Sequence, residues 1–297
     1  MANNQIWLLF KSLRPKQWIK NLIIYAGLIF AKRLFVFSDF LIVSYAFLLF
    51  CLLTGCTYLI NDLKDFEKDK LHPKKKFRPL AQGTLSNLFA LVFIIIGLIA
   101  ALFLSFILNY TFVLIVLIYL IMMLGYTFGL KEVVILDAFI IAAGYVLRGI
   151  AGMEVIGVEM SPWFLICASL IALFVVFCKR KNELLVLGKN AVSHRNILLE
   201  YNNSLLDQLI SITSSSVVLT YSLYTLSPET IAKFQTRKLV YSVPFVLFGL
   251  FRYLYLVYRK DKGGNAEKLL LIDPFLVLVA IGWIATIILI IYGKGII

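Results

Sequence analysis

The sequence predicts an all-α polytopic membrane protein, a bundle of nine transmembrane helices around a polar cavity that faces the cytosol. Of its 297 residues, 61% are hydrophobic and only 15% are charged, and the mean hydropathy is +0.92. The apolar residues come in long runs and not at the spacing of a surface helix, as expected for helices surrounded by lipid. We expect a single transmembrane domain over residues 1–297.

Nine apolar runs indicate the spanning helices. The first and the sixth runs are short for a helix that must cross about 30 Å of hydrocarbon. The predicted segments lie near residues 18–31, 39–60, 85–106, 109–128, 132–152, 162–178, 205–226, 239–258 and 274–292.

The net charge of +13 is distributed unevenly among the loops. If the N-terminus is cytosolic, most of the 29 lysines and arginines fall in cytosolic loops, which is the pattern of the positive-inside rule. The charge therefore predicts an orientation in the cytoplasmic (inner) membrane, with the N-terminus inside and the C-terminus outside. It does not predict a nucleic-acid partner.

Charge is densest in residues 61–78, here called the charged stretch, which begins inside an apolar helix and ends in a basic loop. At about 100° per residue, four oxygen-bearing side chains share one face of that helix. They are Asn61, Asp62, Asp65 and Asp69. Like charges four residues apart destabilise a helix, so Asp65 and Asp69 repel each other unless a cation lies between them. Oxygen ligands suit Mg²⁺, so the pattern predicts a metal site formed by Asp62, Asp65 and Asp69.

The charged stretch ends in basic residues suited to phosphate. Lys75, Lys76 and Arg78 follow the aspartates, and we expect them to contact the substrate phosphates that a bound Mg²⁺ leaves partly unneutralised. The alternative is an ordinary cytosolic loop of mixed charge that holds no ligand.

Two further basic clusters stand at the cytosolic ends of other segments. Lys16 and Lys20 share a helix face at the start of the first segment, and Lys179 and Arg180, with Glu183, follow the sixth. Each cluster either anchors its segment at the membrane surface or binds an anionic headgroup or phosphate.

The fifth segment carries an acid and a base inside the membrane. Tyr126 ends the fourth segment, Lys131 stands at the cytosolic start of the fifth, and Asp137 lies about a turn and a half further in. A carboxylate at that depth is a functional candidate by default. Arg148, three turns later, either lines a cavity together with Asp137 or extends its guanidinium outward to the membrane surface.

Cysteine and histidine chemistry is not indicated. The two histidines, His72 and His194, are not clearly placed for proton transfer. The cysteines lie in or at the ends of apolar segments, without metal-binding or redox spacing. They are Cys51, Cys56, Cys167 and Cys178.

Short motifs along nearly the whole chain resemble the UbiA superfamily of intramembrane prenyltransferases. The first is Asn61-Asp62-x-x-Asp65-x-x-x-Asp69, ahead of a basic loop that ends in Arg78-Pro79. The chain is similar in further motifs to one branch, the decaprenyl-phosphate phosphoribosyltransferases. These motifs are Arg14-Pro15-Lys16-Gln17-Trp18-x-Lys20-Asn21, His72-Pro73-x-Lys75, Arg78-Pro79-x-Ala81-x-Gly83, Leu130-Lys131 with Leu136-Asp137, Val146-Leu147-Arg148-x-x-Ala151-Gly152, Lys179-Arg180-x-x-Glu183-Leu184 and Tyr221-x-Leu223-Tyr224.

The resemblance implies an enzyme that transfers 5-phosphoribose from phosphoribosyl pyrophosphate to a polyprenyl phosphate and releases pyrophosphate. It implies Mg²⁺ as the cofactor and apolar helices that hold the polyprenyl tail. The implied catalytic residues are Asp62, Asp65, Asp69 and Asp137. The implied substrate-binding residues are Lys20, Asn61, Lys75, Lys76, Arg78, Tyr126, Lys131, Arg148, Lys179, Arg180 and Glu183.

The second acidic motif departs from that of ordinary prenyltransferases in the superfamily. Ile141 stands four residues after Asp137, where a second acid is expected. This departure argues against a two-magnesium site that ionises a prenyl pyrophosphate. Transfer of a prenyl chain to an aromatic or other acceptor is therefore the alternative activity. A transporter or channel is disfavoured, because its charges should lie near the bilayer midplane.

Overall fold

The structure is a computed structural model, and most of the residues that it describes lie in helices. It describes residues 2–71, 75–187, 197, 200–260, 269 and 272–293. The motif residues His72 and Pro73, as well as His194, lie outside the described residues. Two compact units are present: the first comprises Met1–Ile140 and Leu147–Glu159, and the second comprises Ile141–Val146 and Met160–Ile297. The helical composition confirms the predicted all-α class, and the single domain over residues 1–297 stays a prediction.

The first unit is built around one 28-residue helix, α3. In chain order its elements are α1 (Ala2–Ser12), a 3₁₀ helix (Pro15–Tyr25), α2 (Ala26–Phe30), α3 (Phe37–Lys64), α4 (Phe66–Leu71), a 3₁₀ turn (Lys75–Phe77), α5 (Asn87–Ser105), α6 (Tyr110–Phe128), a second 3₁₀ turn (Leu130–Glu132) and α7 (Leu136–Glu154), whose middle turns belong to the second unit.

Helix α3 is the central packing element of the first unit, where it contacts α5, α6 and the 3₁₀ helix. Phe50 on α3 is fully buried and meets the rings of Phe112 and Tyr119 edge to face, at centroid distances of 6.0 and 5.5 Å. Leu59 and Leu80, which flank the charged stretch, are buried in one further apolar cluster. Both ends of the charged stretch are thereby attached to the core.

The second unit contains the remaining long helices, in which α8 packs along α9 and α11 packs against α12. Asp273 caps α12, since its carboxylate accepts from the backbone N–H of Leu276 at 3.1 Å. A hydrogen bond from Arg252 holds the pKa of Asp273 below its ordinary value. The elements are α8 (Pro162–Leu187), α9 (Asn203–Leu226), α10 (Pro228–Phe234), a 3₁₀ turn (Lys238–Ser242), α11 (Val243–Lys260) and α12 (Pro274–Tyr292).

Eight helices within the described residues are long and apolar enough to cross a membrane, and they match eight of the predicted segments. Helix α5 shows why lipid must surround them. Its mean hydropathy is 3.0, yet only 28% of it is buried, and Leu88 and Phe103 are 70% and 71% exposed. Apolar surface of this extent is stable only in a bilayer, so the protein is a multi-pass membrane protein.

The first predicted segment, 18–31, takes a different form from the others. It is the 3₁₀ helix continued by α2. A 3₁₀ helix rises about 2.0 Å per residue, whereas an α-helix rises about 1.5 Å. This short run therefore spans a greater distance than an α-helix with the same number of residues. The three-residue repeat also corrects the prediction that Lys16 and Lys20 share a face. Lys20 instead donates to the side chain of Gln17, three residues earlier, at 3.1 Å.

Helix α7 and the 3₁₀ helix touch backbone to backbone at Gly152. A Cβ atom at this position would lie 1.9 Å from the carbonyl oxygen of Ile24. Only glycine permits such an approach, which is how small residues bring membrane helices together. The contact fixes the 3₁₀ helix against α7.

Candidate active site

The charged stretch begins as the last turn of α3 and continues, after one non-helical residue, as α4. Asp65 is that residue, with φ −93° and ψ 14°. The helical spacing survives the interruption, because Asp65 N–H donates to the carbonyl of Asn61 at 2.9 Å and Asp69 N–H donates to that of Asp65 at 2.8 Å. The aspartates at 62, 65 and 69 are here called the carboxylate cluster. They therefore keep nearly the helical spacing that the sequence predicts.

Asp62 is buried and accepts hydrogen bonds from two arginines. Its side chain is 3% exposed. Arg14 and Arg78 both donate to the same oxygen, Oδ1, and the Arg78 contact measures 2.9 Å. A buried carboxylate needs such charge-assisted partners, because desolvation without them is costly.

Arg78 also contacts the second buried carboxylate of the cluster. Its Nη1 atom, which donates to Asp62, lies 2.5 Å from Oδ2 of Asp69, and Lys75 lies 3.7 Å from the other Asp69 oxygen. One guanidinium therefore bridges Asp62 and Asp69, and the loop that follows α4 folds back onto the cluster.

Asp65 is paired with a lysine from a distant part of the first unit. The ammonium group of Lys131 lies 2.8 and 2.7 Å from the two carboxylate oxygens and 3.5 Å from Oδ1 of Asn61. Lys131 stands in the 3₁₀ turn between α6 and α7. The predicted substrate residues Asn61 and Lys131 are thus brought together with Asp65.

Repulsion within the carboxylate cluster is relieved by the protein's own basic side chains. The cations that the sequence predicts beside Asp65 and Asp69 are supplied here by Lys131, Lys75 and Arg78. The metal site at Asp62, Asp65 and Asp69 stays a prediction. Within the described ranges, no three acidic, histidine or cysteine side chains are gathered closely enough to hold a metal ion. The donor chemistry nevertheless fits Mg²⁺, which needs only one or two carboxylates when substrate phosphates complete its coordination.

Asp137 is fully buried in the first turn of α7. The residue two positions earlier, Ile135, has φ 68°, a conformation that β-branched residues rarely adopt and that costs about 1–3 kcal/mol. Strain of this kind often accompanies functional segments. The catalytic role of Asp137 stays a prediction.

Arg148 points into the first unit and does not extend to the membrane surface. It is 5% exposed. Its Nε donates to Asn21 at 2.7 Å and its Nη2 donates to the hydroxyl of Tyr119 at 2.6 Å, with the guanidinium 4.9 Å from the Tyr119 ring centre. The interpretation of Arg148 as an outward-reaching side chain is wrong, because these buried partners satisfy it. The contact joins two sequence motifs across 127 residues.

The second basic cluster belongs to the second unit and lies within α8, which continues to Leu187 and does not end near residue 178. Arg180 is 1% exposed and donates to Glu183 at 2.8 Å. Lys181 is paired with Asp207, which also accepts from Tyr258. The interpretation of this cluster as a helix-end anchor is wrong for the buried Arg180.

The structure also locates three further predicted substrate residues. Lys76 is exposed beside the ring of Phe77. Tyr126 is half-buried near the end of α6, and Lys179 is half-buried in α8. Their contacts with substrate stay predictions.

Arg14 contacts the carboxylate cluster but was not among the site residues predicted from the sequence. It lies between α1 and the 3₁₀ helix, with φ 54° and ψ 61°, and its guanidinium is 4.8 Å from the ring centre of Tyr58. The only local signal was its place in a motif next to Pro15. Its pairing with Asp62 spans 48 residues and could not be read from local spacing.

Curated relatives are similar along almost the whole chain. The decaprenyl-phosphate phosphoribosyltransferase of Mycolicibacterium smegmatis is 32% identical over 292 residues, which cover 94% of this chain and 91% of the relative. The enzyme of the same name from Mycobacterium tuberculosis is 31% identical over 283 residues, which cover 93% and 92%.

Solved structures share the fold. A UbiA homologue from Archaeoglobus fulgidus bound to DMAPP and Mg²⁺ has a TM-score of 0.72 at 20% identity, covering 95% of this chain and 98% of that one. The apo structure of a UbiA homologue from Aeropyrum pernix K1 has a TM-score of 0.60 at 13% identity, covering 91% and 98%. The sequence profile of the UbiA prenyltransferase family matches residues 21–279. The resemblance seen in the motifs is therefore confirmed, and the chain belongs to the UbiA prenyltransferase family.

Proposed function

We propose that the protein is a Mg²⁺-dependent membrane glycosyltransferase that moves 5-phosphoribose from phosphoribosyl pyrophosphate to a polyprenyl phosphate. The observation that carries the proposal is the number of cations at the carboxylate cluster. Arg14, Lys75, Arg78 and Lys131 contact its aspartates. A donor with a pyrophosphate and a further 5-phosphate needs more positive charge than one whose only polar group is a pyrophosphate. The names of the curated relatives support the same reaction.

The residues of the cluster would act on the leaving pyrophosphate. One or two carboxylates among Asp62, Asp65 and Asp69 would hold Mg²⁺ together with the substrate phosphates, and the metal when bound would neutralise charge on the departing pyrophosphate. Arg78 and Lys131 would donate to the phosphate oxygens as negative charge builds on them.

In the reaction, the bond from ribose C1 to the pyrophosphate oxygen breaks, and pyrophosphate leaves with the electron pair. A bond forms between C1 and an oxygen of the lipid phosphate. Because the lipid phosphate is already an anion, the attack needs no strong base. The role of the protein is therefore mainly to position both substrates and to stabilise the leaving group.

We further propose that the protein lies in the cytoplasmic (inner) membrane with its N-terminus and its active site on the cytosolic side. The excess of basic residues in alternate loops supports this orientation. Phosphoribosyl pyrophosphate is water-soluble and would enter from the cytosol, whereas the polyprenyl phosphate would enter from the membrane.

Prenyl transfer is the second candidate. It is favoured by the fold shared with a UbiA homologue bound to GPP and Mg²⁺, which has a TM-score of 0.71. It is opposed by Ile141, which occupies the place of the expected second acid after Asp137.

The two activities differ in which molecule supplies the transferred group. Purified protein with Mg²⁺, phosphoribosyl pyrophosphate labelled in the ribose and a polyprenyl phosphate should place the label in the lipid phase. The same mixture without lipid phosphate is the blank. Transfer from a prenyl pyrophosphate to an aromatic acceptor, with no label taken from the sugar donor, would replace the proposed activity with prenyl transfer.

A further inference from the structure

Arg14 holds a strained backbone conformation at the corner between α1 and the 3₁₀ helix. Its φ of 54° lies in the left-handed region, which residues other than glycine seldom occupy. Such a conformation persists only when its surroundings stabilise it, and it marks a candidate for function. The backbone N–H of Arg14 donates to the carbonyl of Lys11 at 3.2 Å, and its carbonyl accepts from Gln17 at 2.8 Å. Its side chain contacts Asp62 and the ring of Tyr58.

The guanidinium of Arg14 has more N–H donors than its hydrogen bond to Asp62 uses. A guanidinium carries five N–H groups, and its hydrogen bond in the structure is to Oδ1 of Asp62. The side chain is 21% exposed, whereas that of Asp62 is 3% exposed. The remaining donors of Arg14 can therefore reach a ligand that enters beside the buried carboxylate.

Arg14 and Arg78 share a single acceptor atom, Oδ1 of Asp62. Two guanidinium groups on one carboxylate oxygen place more positive than negative charge at that point. A divalent cation that coordinates this oxygen must compete with both arginines, because like charges repel at such short distances. A pyrophosphate that arrives with the metal offers the displaced arginine a new anionic acceptor.

We propose that Arg14 is a resident counter-ion of Asp62 in the free enzyme and a pyrophosphate-binding residue in the substrate complex. When the metal binds Asp62, the Arg14 guanidinium moves from the carboxylate to a phosphate oxygen. The inference rests on the proposed function only in placing metal and pyrophosphate at this cluster, which the prenyl-transfer alternative would also do.

This exchange predicts opposite effects of one substitution on two binding steps. Removing the charge of Arg14 takes a competitor away from the metal site, so the metal alone should bind more tightly. The same change removes a donor from the pyrophosphate, so the metal–pyrophosphate complex should bind more weakly. A residue that only fastens the N-terminal helices would not separate the two steps in this way.

The test uses the full-length protein in detergent, with Mn²⁺ as a paramagnetic probe for the Mg²⁺ site. Binding of Mn²⁺ alone is followed by loss of the free-ion EPR signal, and binding of inorganic pyrophosphate is then measured at saturating Mn²⁺. The variants are Arg14→Gln and Arg14→Lys. The matched control is Lys11→Gln, which removes an exposed charge from the neighbouring end of α1.

For Arg14→Gln, we expect the affinity for Mn²⁺ alone to rise about threefold or more, and that for pyrophosphate to fall on the order of tenfold, the scale of one lost charge-assisted hydrogen bond. Arg14→Lys should stay near the wild type for Mn²⁺ and lose less pyrophosphate affinity than Arg14→Gln. Lys11→Gln should change neither.

Unchanged affinities in Arg14→Gln, or equal weakening of both steps, would overturn the proposal. If Arg14→Gln fails to fold, the test relies on Arg14→Lys. If this variant loses as much affinity for Mn²⁺ as for pyrophosphate, the role of Arg14 is only structural and the proposal is overturned. Because neither ligand contains ribose or a prenyl chain, these results are independent of which donor the enzyme uses.

Discussion

At the scale of single residues, the carboxylate cluster is notable for its different degrees of burial. Asp62 and Asp69 are 3% exposed, whereas Asp65 is 15% exposed and is paired with a lysine, not with an arginine. Asp65 is therefore the carboxylate whose partner is most easily exchanged, since an ammonium group makes less directional contacts than a guanidinium.

Replacing Asp65 by asparagine should chiefly lower turnover. The change keeps the shape of the side chain but removes the charge that we assign to metal binding. A lost contact to charge that develops in the transition state reduces the rate by roughly 10²-fold or more. Steady-state rates with phosphoribosyl pyrophosphate, together with the thermal unfolding midpoint, would measure this.

Glu67→Gln is the matched control for Asp65→Asn, because Glu67 is a 78% exposed acid of the same stretch whose partner is Lys70. Its activity should remain at the wild-type level. Full activity of the wild type in EDTA, with unchanged product, would contradict the metal assignment.

Lys20 should contribute to donor affinity more than to turnover. A group that binds substrate and transition state equally raises the Michaelis constant when it is removed and leaves turnover nearly unchanged. We therefore expect Lys20→Ala to increase the Michaelis constant for phosphoribosyl pyrophosphate. Lys16→Ala is the comparison, since Lys16 is exposed on the same 3₁₀ helix. Equal constants in the wild type and Lys20→Ala would remove Lys20 from the donor site.

At the scale of helices, the 3₁₀ helix and α7 act as one packed pair. Asn21 and Ile24 lie three residues apart on the 3₁₀ helix; the first accepts from Arg148 and the second touches Gly152. The three-residue repeat sets both buried residues on one face. The fit depends on a helix geometry that hydrophobic periodicity does not reveal.

Gly152→Ala should destabilise the first unit strongly. The added Cβ would lie 1.9 Å from the carbonyl oxygen of Ile24, which is backbone and cannot swing away. Overpacking of this kind costs about 1–3 kcal/mol or more, so the thermal midpoint in detergent should fall by several degrees. Gly249→Ala in α11 is the control, because its Cβ would meet Val279 at 3.6 Å, an ordinary contact. A midpoint for Gly152→Ala that equals the control would contradict the packing argument.

At the scale of the whole molecule, the sequence predicts the spanning helices well because hydrophobic runs are local. The segment predicted at 274–292 coincides with α12, and that at 109–128 differs from α6 by one residue. The 3₁₀ geometry was missed because an apolar run indicates a membrane segment but does not distinguish 3₁₀ from α-helical hydrogen bonding.

The pairings within the site were harder to predict. The carboxylate cluster follows from helical spacing, but Lys131 with Asp65 and Arg14 with Asp62 join residues 66 and 48 positions apart. Such contacts depend on how helices pack. Arg148 was ambiguous for the same reason: its depth along α7 is visible in the sequence, whereas its partners Asn21 and Tyr119 are not.

The proposed orientation in the membrane predicts the side from which each end of the chain can be labelled. In a variant without native cysteines, a thiol introduced at Lys76, which is exposed after the charged stretch, should react with a membrane-impermeant reagent only from the cytosolic side. A tag after the C-terminus should be accessible only from the other side. Labelling of the Lys76→Cys thiol exclusively from outside would reverse the proposed topology.

Counter-ions supplied by the chain itself have a consequence for how the protein is made. In many metalloproteins the metal is needed for folding, because unpaired ligands repel one another until it arrives. Here Arg14, Arg78, Lys75 and Lys131 already balance the aspartates. Membrane insertion and assembly can therefore be completed before any metal is present. Chelators would inhibit the enzyme without unfolding it. Newly made protein would be stable but inactive until metal and substrates bind.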